Sequence, residues 1–220
     1  GACHLMKMFK AIPDAQAAGM RAAAAVVAEP SVAQDFLDAG MLGVMWEGLL
    51  NLADHPGAQA AAWGLLANLF SHPDLRIQVL VKRQHLILSD SDEAKLPIPS
   101  YPELAVQLVK SFALHVDDPD AQVAGCHAAW NLEEILGFEP TDSPRVLLDA
   151  VTTAQVVHEH HPQVQAAGAF VEIRLHPDHP RDLLHALGDI GRAGVPVLQG
   201  EGEIIAHRHR VVDDRELEHL

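Results

Sequence analysis

Apolar and polar positions along this chain fall into one pattern that is written four times. In Pro119-Asp120-Ala121-Gln122-Val123-Ala124-Gly125-Cys126-His127-Ala128-Ala129-Trp130-Asn131-Leu132, a proline is followed by glutamine three residues on, small residues, then an apolar run. The same order begins at Pro13 (PDAQAAGMRAAAAV), Pro56 (PGAQAAAWGLLANL) and Pro162 (PQVQAAGAFVEIRL). Each copy predicts a helix with proline in its first turn, where a missing N–H costs nothing. These four are called anchor helices below. Pro13 to Pro56 is 43 residues, Pro119 to Pro162 is again 43, and Pro56 to Pro119 is 63. The longer interval reads as the same unit carrying an insertion of about one helix length. A helical period of this size predicts an α-solenoid, in which each unit packs only on its neighbours.

Between anchors the pattern predicts further helices. The first anchor should run to about Ala28, where Glu29-Pro30 stops it, with Ala15, Ala18, Ala22, Ala25 and Val26 as its apolar stripe. Ser31 can cap a short helix that includes Phe36 and Leu37 and ends at Ala39-Gly40. A third helix follows from Met41 to about Ala53, with Leu42, Met45, Trp46, Leu49 and Leu52 inward. After the second anchor a helix is expected to about Leu88, then an exposed acidic loop over 89–102 broken by Pro97, Pro99 and Pro102. Leu104, Leu108 and Phe112 then resume a helix before Pro119. In the third unit Gly137–Pro144 replaces the short helix, and the next runs from Arg145 to about His160. The fourth unit holds His176-Pro177-Asp178-His179-Pro180, a helix to Arg192, and Ala193-Gly194-Val195-Pro196. The charged stretch 201–220 reads as a polar cap over an open apolar end, completing a single domain over 1–220.

Composition narrows what such a chain can do. Hydrophobic residues make up 49%, mostly Ala, Leu and Val, with 6 Phe, 3 Trp and 1 Tyr, which suits thin helices at close distance. The net charge of -15 repels phosphate backbones, so nucleic acid is not expected as a partner. The longest apolar runs, such as Leu42–Leu52, are interrupted by Gly and Glu and too short to span a bilayer. Two cysteines, Cys3 and Cys126, form no disulfide framework, which points to a reducing cytoplasmic or nuclear location.

The order of helices around Phe36-Leu37-Asp38-Ala39-Gly40-Met41-Leu42, then Leu49-Leu50, then Pro56 to Leu69, resembles the armadillo family. In that family a short first helix ends in Ala-Gly, and the third helix opens with Pro and Gln and closes near Asn-Leu. Ala193-Gly194-Val195-Pro196-Val197-Leu198 resembles another such helix start, so the likeness covers about residues 13–200. It implies an all-α, right-handed solenoid of about four repeats with a helical C-terminal cap, whose third helices line a concave groove for an extended peptide. Asparagines nine residues after the glutamine grip the peptide backbone in that family, and the matching positions here are Asn68 and Asn131, with Ala25 and Arg174 in the outer units. Four residues before them stand Arg21, Gly64, His127 and Phe170. The implied groove residues are therefore Arg21, Asn68, His127, Asn131, Phe170 and Arg174; for the asparagines, a hydrogen bond to the preceding repeat is the alternative. Trp63 and Trp130 fall one and three residues off that line, a rotation of roughly 100° and 300°, and are expected in the core.

No catalytic constellation stands out: there is no GxGxxG, GxxxxGK[ST] or GxSxG, and neither cysteine lies in a CxxC pair. The 15 histidines are the compositional oddity. His158, His160, His161, His176 and His179 could ligate a metal, but His-Pro recurs at turns (55–56, 72–73, 161–162, 176–177, 179–180), which makes turn residues the favoured reading. A His-rich metal-dependent enzyme on a HEAT-like scaffold, such as deoxyhypusine hydroxylase, repeats its His-Glu pair, whereas here only His158-Glu159 occurs. The expectation is a non-catalytic scaffold binding a protein or peptide, without cofactor or metal. An Hsp70-type chaperone regulator, resembling the armadillo-like nucleotide-exchange factors, is the alternative within the binding class.

Overall fold

The computed structural model describes residues 6, 8–9, 12–75, 78–79, 99–136 and 143–175. The expected helix end near Leu88, the acidic insertion up to residue 98, the segment 137–142 and everything from 176 onward lie outside them. Two compact units are present, Gly1–Asp178 and His179–Leu220, and only the first contains described residues.

Among the described residues the chain is all-helical, with no strand. The helices are α1 (Pro13–Val26), α2 (Pro30–Asp38), α3 (Met41–Asn51), α4 (Pro56–Phe70), α5 (Tyr101–Leu114), α6 (Pro119–Leu136), α7 (Ser143–Val157) and α8 (Pro162–Leu175). The anchor helices are α1, α4, α6 and α8, and each opens with its proline. Gly40, at φ 70°, lets the chain reverse from α2 into α3, a left-handed conformation that costs glycine little. Ser100 starts α5 with a capping box: its Oγ accepts from Glu103 N–H at 3.2 Å, and Glu103 Oε2 accepts from Ser100 N–H at 2.6 Å.

Three local expectations are corrected. The buried face of α1 is Gln16, Ala17, Gly19, Met20 and Ala23, while Ala18, Ala22, Ala25 and Val26 are exposed. An alanine-rich helix has little apolar contrast around it, so Met20 and the buried hydrogen bonds of Gln16 decide which side faces in. Ser31 is not a cap, because Pro30 occupies the first helical position and Glu29 stands before it. The loop expected through Pro102 ends earlier, since Tyr101 and Pro102 form the first turn of α5, where proline fits.

Packing follows the anchors. Helix α1 contacts α4, α4 contacts α6, and α6 contacts α8. Alongside them α2 packs on α3, α3 on α4, α5 on α6 and α7, and α7 on α6 and α8. One apolar core runs through these contacts, with Met20, Met45, Leu49, Trp63, Leu66, Phe70, Leu108, Leu132 and Val151 buried in it. Residues without side chains permit the closest approaches. A Cβ on Gly125 of α6 would lie 2.9 Å from the Phe112 ring of α5. Likewise, a Cβ on Gly48 of α3 would lie 2.8 Å from Met20 of α1.

Candidate functional site

The glutamine that marks each anchor helix makes the same two bonds every time. Gln16 Nε2 donates to Met6 O at 2.7 Å and Phe9 O at 3.0 Å; Gln59 Nε2 donates to Leu49 O at 2.7 Å and Leu52 O at 3.1 Å. Gln122 reaches Phe112 O at 3.2 Å and His115 O at 2.7 Å, and Gln165 reaches Gln155 O at 2.6 Å and His158 O at 3.1 Å. The offsets are 10 and 7 residues in all four cases. The last carbonyls of a helix have no partner within it, so this side chain closes the preceding helix and fixes the turn between the two.

Three imidazoles tie more distant segments together. His72 Nε2 donates to Val27 O at 2.9 Å, His115 Nε2 to Ala53 O at 2.6 Å, and His158 Nε2 to Val116 O at 2.8 Å. A carbonyl only accepts, so the hydrogen sits on Nε2 in each ring. Sequence reasoning found His72 as a turn residue and missed this role for His115 and His158. Both lie seven residues before their glutamine, and their own carbonyls accept from it, but Phe9 and Leu52 hold the same place in the other units, so the spacing does not mark the bond.

The candidate groove residues lie along the anchor row. Asn68 Nδ2 donates to Ala24 O of α1 at 2.9 Å, and Asn131 Nδ2 donates to Ala67 O of α4 at 3.0 Å and His127 O at 3.3 Å. Each asparagine thus bridges to the anchor helix before it. Arg21 and Asn68 are exposed, and His127 and Asn131 are half-buried. Phe170 is buried and meets Trp130 edge-on, with ring centroids 5.6 Å apart at 81°, an arrangement aromatic pairs favour. Arg174 falls in the last turn of α8, and its side chain lies outside the described residues. Trp63 is fully buried, its indole N–H donating to Ser111 Oγ at 3.0 Å, and Trp130 is partly buried against the core. Asn131 is therefore bonded to the His127 carbonyl within α6 and to the residue before Asn68 in α4, while Asn68 bonds to α1 and Phe170 meets Trp130, the residue before Asn131. Arg21 stands one turn before the Ala24 carbonyl.

Small residues floor this surface. Ala60 and Gly64 of α4 and Ala124 of α6 are half-buried, and a Cβ on Gly64 would meet nothing within 4 Å. Asp14 and Asp120 stand exposed at the opening turns of α1 and α6. Cys126 faces inward, where burial first and the Glu172 charge second push its thiol up to about 12, so it stays protonated. Among the described residues no group of three or more His, Cys, Asp or Glu could hold a metal ion. His176 and His179 lie outside those residues. No described helix is long and apolar enough to cross a membrane. Comparison of the chain with protein-family models, with curated proteins and with solved structures finds no match.

Proposed function

We propose that this chain is a right-handed α-solenoid of about four armadillo-like repeats, and that it serves as a non-catalytic interaction module for an extended peptide segment. One observation carries the reading: α1, α4, α6 and α8 contact one another in sequence order, with the same glutamine register at every turn. Equal registers bring equivalent positions onto one side of the anchor helices, so Arg21, Gly64 and His127 form one row, closed by the buried Phe170, and Ala25, Asn68, Asn131 and Arg174 the next. Asparagine amides beside a floor of alanine and glycine suit a peptide held through its backbone. The arginines among surrounding carboxylates suit a partner of mixed charge.

Gly64 supplies the test. Because nothing lies within 4 Å of a Cβ there, Gly64→Trp fills the groove and leaves the core alone. Peptides of about a dozen residues selected on the wild-type protein should bind the variant at least tenfold more weakly, a loss of about 1.4 kcal/mol. Equal binding would place the peptide site elsewhere. Failure to select any peptide from a diverse library would overturn the extended-peptide reading itself.

A further inference from the structure

The residue just before each anchor proline occupies one slot four times: Ile12, His55, Asp118 and His161. In α6 the slot works as a helix cap, with Asp118 Oδ1 accepting from Ala121 N–H at 2.8 Å. In α4 an imidazole does the same, with His55 Nδ1 accepting from Ala58 N–H at 3.2 Å, a hydrogen shared with the His55 carbonyl at 3.1 Å. Ile12 has no polar side chain to offer. In α8 the Nδ1 of His161 is buried without a partner.

Imidazole differs from carboxylate here in one way. Its acceptor is a lone pair that vanishes when the ring takes a second proton. That proton would set a ring N–H against the Ala58 N–H, and a full positive charge against the positive end of the α4 dipole. The other ring nitrogen already has an alternative. His55 Nε2 lies 3.7 Å from Asp14 Oδ1 of α1, whose side chain is 95% exposed. Also on this turn are Asp54, exposed beside His55 in sequence, and His115 from the end of α5, which donates to Ala53 O. The carbonyl-bound histidines keep their bonds by the same logic. His72, His115 and His158 donate from a nitrogen that carries hydrogen in both protonation states.

We propose that His55 is an acid-released cap: neutral, it holds the first turn of α4, and protonated, it abandons Ala58 for Asp14. The device loosens the start of one anchor helix on acidification while α6, capped by Asp118, stays closed. It depends on the hydrogen bond at His55 and not on the peptide-binding reading.

The wild-type protein contains its own control in Ala121. Amide hydrogen exchange would be followed at Ala58 and Ala121 near pH 7.5 and near pH 5.5, about one unit either side of the ordinary imidazole value. After correction for intrinsic exchange, protection at Ala58 should fall roughly fivefold, the worth of a typical cap, and Ala121 should hold. His55→Asp should make Ala58 behave like Ala121, while Asp14→Asn should leave the acid response of Ala58 in place. Equal behaviour of Ala58 and Ala121 in the wild-type protein would overturn the proposal, as would an acid response that persists in His55→Asp.

Discussion

At the scale of single residues, the four glutamines show how one side chain can mark a boundary in sequence and close it in space. Each Nε2 serves two carbonyls, yet the Oε1 atoms of Gln16, Gln59 and Gln122 are buried with no partner. An unpaired buried amide oxygen works against the residue, so the bonds to the preceding helix must outweigh it. Replacing Gln122 by Ala removes both bonds and opens a cavity, and urea denaturation should show a loss on the order of 2–3 kcal/mol. Gln122→Leu keeps most of the volume and should cost less. If both variants match the parent, the staple is not what holds the turn. Cys126 gives the residue scale its pH dependence. Its thiol is raised from an ordinary 9.0 to about 12, so the folded state holds the proton more tightly than the unfolded chain. The stability this contributes is complete below about pH 9 and is lost as pH climbs toward 12. In a Cys3→Ser background, a thiol reagent should therefore leave the native protein unlabelled near neutral pH and react on unfolding. Adding Cys126→Ala should flatten the alkaline decline in stability, and an unchanged decline would show that other groups set it.

Among the helices, glycine separates two kinds of position that look alike in sequence. Gly64 and Gly125 both interrupt an anchor helix, but the first opens onto free space and the second receives the Phe112 ring. Gly64→Ala should therefore raise stability by up to about 1 kcal/mol, since alanine orders the helix at lower entropy. Gly125→Ala gains the same propensity but forces the buried ring aside, an overpacking cost of about 1–3 kcal/mol, and should be destabilising on balance. Thermal unfolding of the two variants, measured side by side, would decide; equal shifts would contradict the packing at α6. The same contrast explains what was readable beforehand. Helix α3 carries bulky apolar residues at most positions and is buried nearly all round, so Leu42, Met45, Trp46 and Leu49, with Leu52 just past its end, were correctly expected inward. Helix α1 is mostly alanine, its periodicity has little contrast, and the face expected inward is the one left outside. Partners 42 to 62 residues away, such as Val27 for His72, Ala53 for His115 and Val116 for His158, leave no local mark in the sequence.

Across the whole molecule, the asparagines decide how far structure and proposed function overlap. Their spacing from the glutamines was legible, and so was a bond to the preceding repeat as the alternative to a peptide, but not which carbonyls accept. Asn68 and Asn131 each donate to the anchor helix before it, across 44 and 64 residues. Ala24, the acceptor for Asn68, lies in the last turn of α1, where helix carbonyls lack partners of their own. In the proposed solenoid each unit touches only its neighbours, so cutting such links lowers cooperativity. Asn68→Ala combined with Asn131→Ala should therefore lower stability by about 1 kcal/mol per bond. It should also reduce the denaturant slope, because α1 would begin to unfold ahead of the rest. Circular dichroism should still report a helical protein at low denaturant. Peptides selected on the parent should bind the double variant more weakly than they bind His72→Ala, which cuts another link to the end of α1 and leaves the groove amides in place. If the double variant keeps the parent's stability and slope and loses only peptide binding, the asparagines serve the ligand alone. If it and His72→Ala lose stability and binding in parallel, they act through the stack of helices, and the peptide is held by other groups along the row.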